Sequence, residues 1–357
     1  QAGLFYYWGI KMNKFTRRTV IAAACAAAAM TFGPMSFAQQ APEKKDVTIA
    51  VGGKSLYYYL PLSIAEQLGY FKDEGLNVKI VDFQGGSRSL QAVVGGSADV
   101  VSGAFEHTIS MQAKKPMTAF VLQGRAPQLA LVVSNKTMKD YKQLSDLKGK
   151  KVGVTAPGSS SQMVANFILK KGGLGPKDVV FIGVGSSSGA VSAIRSGQID
   201  ALINLDPVIT ILLKNGDAKL VADTRKVKES ESFFGGTMPA GCLYAPVSFI
   251  EKNPQTVQAL TNAIVRADEW LSKATPEEVA KVVPASYLMG NRDIYLAGFE
   301  GNRDALSPDG RFPDGCAKIS LGALQTVNDK IDPAKIDLTK VYTNKFVDEA
   351  LKKYPAK

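Results

Sequence analysis

From Asp46 onward, short β-rich runs alternate with helical patterns, and this alternation restricts the chain to a parallel α/β architecture. Strands are expected over residues 47–51, 77–81, 99–102 and 118–122, with helices over 60–68, 87–94 and 108–113 between them. A β-branched run at 129–133 then leads through the polar stretch 134–151 into a second series. There strands are expected over 151–154, 179–182, 201–204 and 218–222, and helices over 160–171 and 188–195. The apolar run 242–247 reads as a return crossing. Beyond Asn253 the pattern is helical, and Val257, Leu260, Ile264, Ala267 and Leu271 recur at helical spacing, so one face of a helix over 256–273 is buried. The expected division is two lobes, with 46–133 and 242–357 in the first and 134–241 in the second.

An internal echo supports that division. Gly85-Gly86-Ser87, then Leu90, Val93 and Val94, then Gly96-Ser97-Ala98-Asp99-Val100 is answered by Gly185-Ser186-Ser187-Ser188, then Val191 and Ile194, then Gly197-Gln198-Ile199-Asp200-Ala201. Each copy is a glycine-serine turn, an amphipathic helix, a glycine stop and a short strand.

The first residues read as an export signal. Lys14, Arg17 and Arg18 precede an apolar stretch from Val20 to Phe32, and Ser36-Phe37-Ala38 supplies small residues at both cleavage-site positions. The stretch is too short for a membrane span of about 20 residues. Residues 1–38 are therefore read as an upstream extension, a start at Met12 and a signal cleaved after Ala38. Arg17-Arg18 resembles a twin-arginine signal with Ala22 in place of its frequent Lys, so Sec and Tat export both stay open. Ala22-Ala23-Ala24-Cys25 has too few apolar residues before it for a lipoprotein box, which favours a soluble periplasmic product.

Hydrophobic residues make up 45% and charged residues 21%, ordinary globular values that exclude a mainly disordered or coiled-coil chain. The net charge is +11, and loss of Lys11, Lys14, Arg17 and Arg18 with the signal leaves +7. The basic residues are scattered, which argues against nucleic-acid binding and weakly for anionic ligands. Cys242 and Cys316 survive cleavage, and an oxidising compartment permits either a disulfide or two buried thiols. No Cys or His cluster has metal-ligand spacing, and no nucleophile elbow occurs, so neither a metal nor a catalytic residue is assigned. Thr48 stands where a P-loop ending in Gly53-Lys54-Ser55 needs glycine, which removes ATP binding.

In open parallel sheets ligands bind beyond the carboxyl ends of the strands, at helix starts with free N–H groups. Three such turns stand out: Gly85-Gly86-Ser87, Gly158-Ser159-Ser160-Ser161 and Gly185-Ser186-Ser187-Ser188. Their serines either cap their own helices or, together with the amides, hold a small oxyanion. Lys54-Ser55-Leu56-Tyr57-Tyr58 follows the first strand and brings a cation and aromatic faces to the cleft edge, with one tyrosine expected in the core. Phe105-Glu106-His107 follows the third strand, and His107 is the one histidine of the chain, either a ligand contact or a hydrogen-bonded structural group. Arg125, after the fourth strand, suits a two-point grip on a carboxylate or sulfonate, or else a surface salt bridge. Asp206 before Pro207 either meets a ligand amine or caps the following helix, and capping is favoured.

Leu62-Ser63-Ile64-Ala65-Glu66-Gln67-Leu68-Gly69-Tyr70-Phe71-Lys72-Asp73-Glu74-Gly75-Leu76 resembles the opening segment of the sulfonate, nitrate and taurine binding proteins. Gly95-Gly96-Ser97-Ala98-Asp99-Val100, Leu147-Lys148-Gly149-Lys150-Lys151-Val152-Gly153-Val154 and Gly197-Gln198-Ile199-Asp200-Ala201 fall where that family has corresponding segments, and the similarity spans about 47–269. The resemblance implies a type II periplasmic-binding-protein fold, two Rossmann-like lobes joined by hinge strands, that shuts on a ligand and hands it to a membrane permease. It implies an ABC permease and its ATPase in the inner membrane as partners, a small anionic ligand (sulfonate, nitrate or carboxylate), no cofactor and a monomer. The same superfamily includes thiamine-precursor binders and a pyrimidine synthase, whose cysteine-rich segment is absent here. An enzyme of that kind and a sensor domain of a membrane receptor are the rival readings.

Overall fold

The computed structural model describes residues 41–355; the export signal read over 1–38 and the box at Cys25 lie outside them. The first half runs β1 (Asp46–Val51), α1 (Leu60–Gln67), α2 (Tyr70–Asp73), β2 (Asn77–Asp82), α3 (Gly86–Val94), β3 (Val100–Ala104), α4 (Glu106–Ser110) and β4 (Met117–Leu122). The second comprises β5 (Ala130–Ser134), β6 (Lys151–Val154), α5 (Ser160–Lys171), β7 (Val180–Gly183), α6 (Ser188–Ser196), β8 (Ala201–Asn204), α7 (Val208–Lys214), β9 (Ala218–Asp223) and α8 (Val227–Phe234). After β10 (Gly241–Pro246) the chain is helical, through α9 (Val247–Lys252), α10 (Pro254–Lys273), α11 (Pro276–Val282), α12 (Arg292–Asn302), α13 (Cys316–Val327) and α14 (Lys345–Lys353).

These strands form two sheets on one plan. The first has the order β2-β1-β3-β10-β4 and the second β7-β6-β8-β5-β9. In the first, β1 is parallel to β2 and β3; in the second, β6 is parallel to β7 and β8. The fourth strand of each sheet is the one that arrives from the other half of the chain. β10 is antiparallel to both its neighbours with a register shift between Leu243 and Tyr244, and β5 repeats this with a shift between Leu131 and Val132. β3, β5 and β8 are buried at every residue, because helices cover both faces, so their sequences are mostly apolar and do not alternate, with Ser102, Ser134 and Asn204 as buried polar exceptions.

Two expectations need correction, and an open alternative at the cysteines is decided. Ala130–Ser134 pairs with β8 and β9, so the crossing strand belongs to the second sheet and not to a first lobe ending at 133. The late helices do not all join the first lobe. α10 and α14 pack on each other and on β4, but α12 lies against α7 and α13 spans α4 and α5. Cys242 and Cys316 are both free and buried, and they pack into one cluster with Phe105, Tyr244 and Phe312 in place of the disulfide that oxidising export permits.

Asp206, at the end of β8, ties several elements together. Its Oδ1 accepts from the Thr210 amide at 2.7 Å, which is the favoured cap of α7. Its Oδ2 accepts from Arg225 at 3.0 Å and from Asn302 of α12 at 2.6 Å, and its carbonyl accepts from the Tyr57 amide at 3.2 Å. The carboxylate is fully covered, so it structures the joint and cannot meet a ligand amine.

Two predictions follow from this packing. Asp206→Ala removes one partner of a buried charged network and lowers unfolding free energy by about 3 kcal/mol in urea denaturation; a loss below about 1 kcal/mol contradicts the role given to Asp206. Burial pushes the Cys316 thiol up to about 12 and the Cys242 thiol well above its ordinary value. Iodoacetamide at pH 8 therefore leaves both unmodified in the folded, non-reduced protein and alkylates both in denaturant; a linked pair found under denaturing, non-reducing conditions contradicts the structure.

Candidate functional site

Parallel strands deliver their carboxyl ends, and the helix starts that follow, to one edge of each sheet. In this molecule the two edges meet. The Ser87 amide at the start of α3 donates to Ser159 Oγ (3.0 Å), the Ser159 hydroxyl donates to Ser87 Oγ (3.1 Å), and the Ser87 hydroxyl donates to the Pro157 carbonyl (2.9 Å). A Cβ on Gly85 would stand 2.9 Å from Ala156 Cβ, and one on Gly53 would stand 2.3 Å from Ser186 Oγ. Both glycines also hold positive φ, 96° and 112°, so any side chain there is excluded by backbone and by contact.

α4 aims two titratable groups at this seam. His107 Nδ1 lies 2.8 Å from the Tyr244 hydroxyl of β10, and the ring also hydrogen-bonds the Gly158 backbone, so the imidazole links the two lobes. Burial lowers its pKa, outweighing the opposing effects of Glu106 and Gly158, which keeps the ring neutral near pH 7. Glu106 is buried beside it, and its Oε1 has no hydrogen-bond partner among the described residues. Burial, and then Glu106, push the Tyr58 phenol well above its ordinary pKa; its hydroxyl is likewise unpartnered.

Two cavities lie along the seam. A cavity of about 310 Å³ between α4, α5 and α13 is lined by Glu106, His107, Ser110, Ser159, Ser160 and Asn166, among others. A smaller one of about 20 Å³, between Gly52, Tyr58, Tyr59, Gly86, Thr155 and Ser161, holds one water at most. The lobes are therefore shut at the strand ends and hollow beside them. Among the described residues neither cavity has a Lys or Arg in its wall.

Of the residues singled out from sequence, Tyr58, Gly86, Ser87, Glu106, His107, Gly158, Ser159, Ser160, Ser161 and Ser186 come together at the seam. The Ser161 hydroxyl is occupied locally, paired at 2.9 Å with that of Thr155. The others sit elsewhere. Lys54 is spent on Glu66 at 2.6 Å, and Ser55 is half-buried in the turn beside it. Tyr57 is a core residue: its hydroxyl donates to the Tyr295 carbonyl and its ring meets that of Tyr295 edge-on at 4.9 Å. Phe105 is equally buried, against Phe312 at 5.4 Å. Arg125 donates to the Asp304 carbonyl at 2.6 Å and lines neither cavity. Ser187 is exposed, and Asp206 is the structural joint described above. Sequence reading missed Tyr59, Thr155, Asn166 and Tyr244. Asn166 follows Ser159 by seven residues, the spacing of one helix face, and was discoverable on that ground. Tyr244 carried no signal, since a tyrosine in an apolar strand reads as core.

Comparison with known proteins bears on the family and the fold. The YtlA protein of Bacillus subtilis (strain 168), named as a binding protein, is 24% identical over 325 residues, 89% of this chain and 92% of that one. A 4-amino-5-hydroxymethyl-2-methylpyrimidine phosphate synthase of Aspergillus parasiticus is 25% identical over 268 residues, 71% of this chain and 75% of that one. A solved structure from Bordetella bronchiseptica RB50 has 57% sequence identity and a TM-score of 0.87, covering 88% of this chain and all of that one. The alkanesulfonate-binding protein SsuA of Xanthomonas axonopodis pv. citri, solved with MOPS, has 19% identity and a TM-score of 0.65 over 85% of this chain and 99% of that one, which shows a shared periplasmic-binding-protein fold. The model of the NMT1-like family matches residues 40–284, and the chain belongs to that family, with the two-lobed fold of the sulfonate- and nitrate-binding proteins.

Proposed function

We propose that this chain is the extracytoplasmic solute-binding component of an ABC importer, which captures a small organic solute with an anionic end by closing its two lobes and delivers it to a permease. The observation that carries this reading is the meeting of helix starts from both lobes at one seam, where Ser87 hydrogen-bonds Ser159. Amides and hydroxyls at such turns receive an oxyanion without a cationic side chain. This matches a seam whose two cavities have, among the described residues, no Lys or Arg in their walls. The same atoms close the protein on itself and are exchanged for ligand contacts when it opens, as hinge closure requires. The solved neighbour named for alkanesulfonate binding makes sulfonates the class to test first. A periplasmic location, an inner-membrane permease with its ATPase, and a monomeric state belong to the same reading.

The synthase relatives favour a second possibility, an enzyme. Of the two titratable groups that α4 brings to the seam, His107 is held neutral and engaged by Tyr244 and Gly158, which suits a structural link better than proton transfer.

Differential scanning fluorimetry against sulfonates, carboxylates, nitrate and pyrimidines tests the proposal. A compound at 100 times its Kd stabilises the closed form by about 2.7 kcal/mol and raises the melting temperature. The account expects that rise from compounds with an anionic group, unchanged on long incubation. A rise confined to neutral compounds removes the anionic end; conversion of a bound compound into product places the chain with the synthases.

A further inference from the structure

We infer that the cavity between α4, α5 and α13 receives a nitrogen-bearing end of the solute, an ammonium, amidinium or amino-heterocycle N–H, through the carboxylate of Glu106, with Asn166 as a second acceptor. The inference rests on the solute-binding reading and names the chemistry of the end which that reading leaves open. Glu106 is only 3% exposed, yet it lines the cavity, and its Oε1 has no hydrogen-bond partner among the described residues. A buried carboxylate oxygen without a donor is costly, and such groups persist where a ligand supplies the donor. The Asn166 Oδ1, in the wall of the same cavity, is also unpartnered.

Nothing in the wall neutralises Glu106. Among the described residues no Lys or Arg lines the cavity, Lys54 is paired with Glu66, and the neighbouring imidazole is occupied by Tyr244. A purely anionic solute lying against Glu106 would meet a like charge whose own side chain is buried, where solvent screens the repulsion less. An N–H donor meets an acceptor instead, in a charge-assisted bond. The two ends of the solute then take different parts of the cavity. The anionic end faces Ser159 and Ser160 at the start of α5, and the nitrogen faces Glu106 on α4 and Asn166 farther along α5. At about 310 Å³ the cavity suits a compact, single-ring or short-chain molecule of this bipolar kind.

The test uses pairs of compounds that share an acid group and differ in amino against hydroxyl: 2-aminoethanesulfonate with 2-hydroxyethanesulfonate, and 4-aminobenzoate with 4-hydroxybenzoate. Affinities are measured by calorimetry on the wild type and on Glu106→Gln, and the melting temperature of each protein is taken without ligand. We expect the amino member of a pair to bind more tightly, and Glu106→Gln to weaken it about tenfold or more while sparing the hydroxyl member. We also expect Glu106→Gln to melt higher than the wild type without ligand, because the variant no longer buries an unpaired charge. Hydroxyl members that bind as well as amino members, with affinity unmoved by the substitution, overturn this inference and leave solute binding intact. Failure of every pair to bind counts against the solute-binding reading itself. The ligand-free melting temperature then decides for Glu106: a higher value in the variant keeps it as a recognition group, and a lower one makes it structural.

Discussion

The contact between the Ser87 and Ser159 turns is the constraint on which the rest of the structure depends. Two serines exchange hydrogen bonds across the seam, and each stands in a turn that its own sheet delivers to the carboxyl end of a strand. That meeting is possible only because Gly85 has no side chain where Ala156 approaches and Gly53 has none where Ser186 does. Backbone therefore lies against backbone and hydroxyl against hydroxyl. Such a polar, closely fitted seam exchanges its internal hydrogen bonds for those of a solute at little net cost, whereas an apolar seam would weld the lobes together.

The crossing strands make the two halves equivalent. β5 and β10 each enter the far sheet as its one antiparallel strand beside a parallel core, each with a register shift near its start. A bulge bends a strand and increases its twist, so paired bulges at the two crossings place the directional change of the chain beside the seam. Asp206 braces the same region by joining β8, α12 and Arg225.

Much of this plan was legible in the sequence, because alternation of strand and helix is a local property. The strands at 151–154 and 201–204 and the helix at 160–171 fall where expected, and the three serine turns do stand at the seam. The failures are non-local. Tyr57, Tyr58 and Tyr59 are consecutive and all buried, and which of them faces the cleft depends on Tyr295 and Phe299, more than 200 residues away. Phe105 follows a strand end, as a cleft residue does, but Phe312 and Tyr342 cover it. Arg125 follows a strand end as well, and its guanidinium donates to the carbonyl of Asp304 outside both cavities. Net charge does not locate the site either: among the described residues the basic excess does not reach the walls of the two cavities.

The central claim is that the lobes close on one another through this seam and must part to admit a solute. Ala156 lies on the second lobe facing Gly85, so Ala156→Phe puts a wedge into the seam without altering a glycine conformation. Small-angle scattering of wild type and variant measures the consequence directly. The account predicts a larger radius of gyration for the variant, with cooperative unfolding retained and the thermal response to solutes lost. A variant as compact as the wild type, with that response intact, would contradict it.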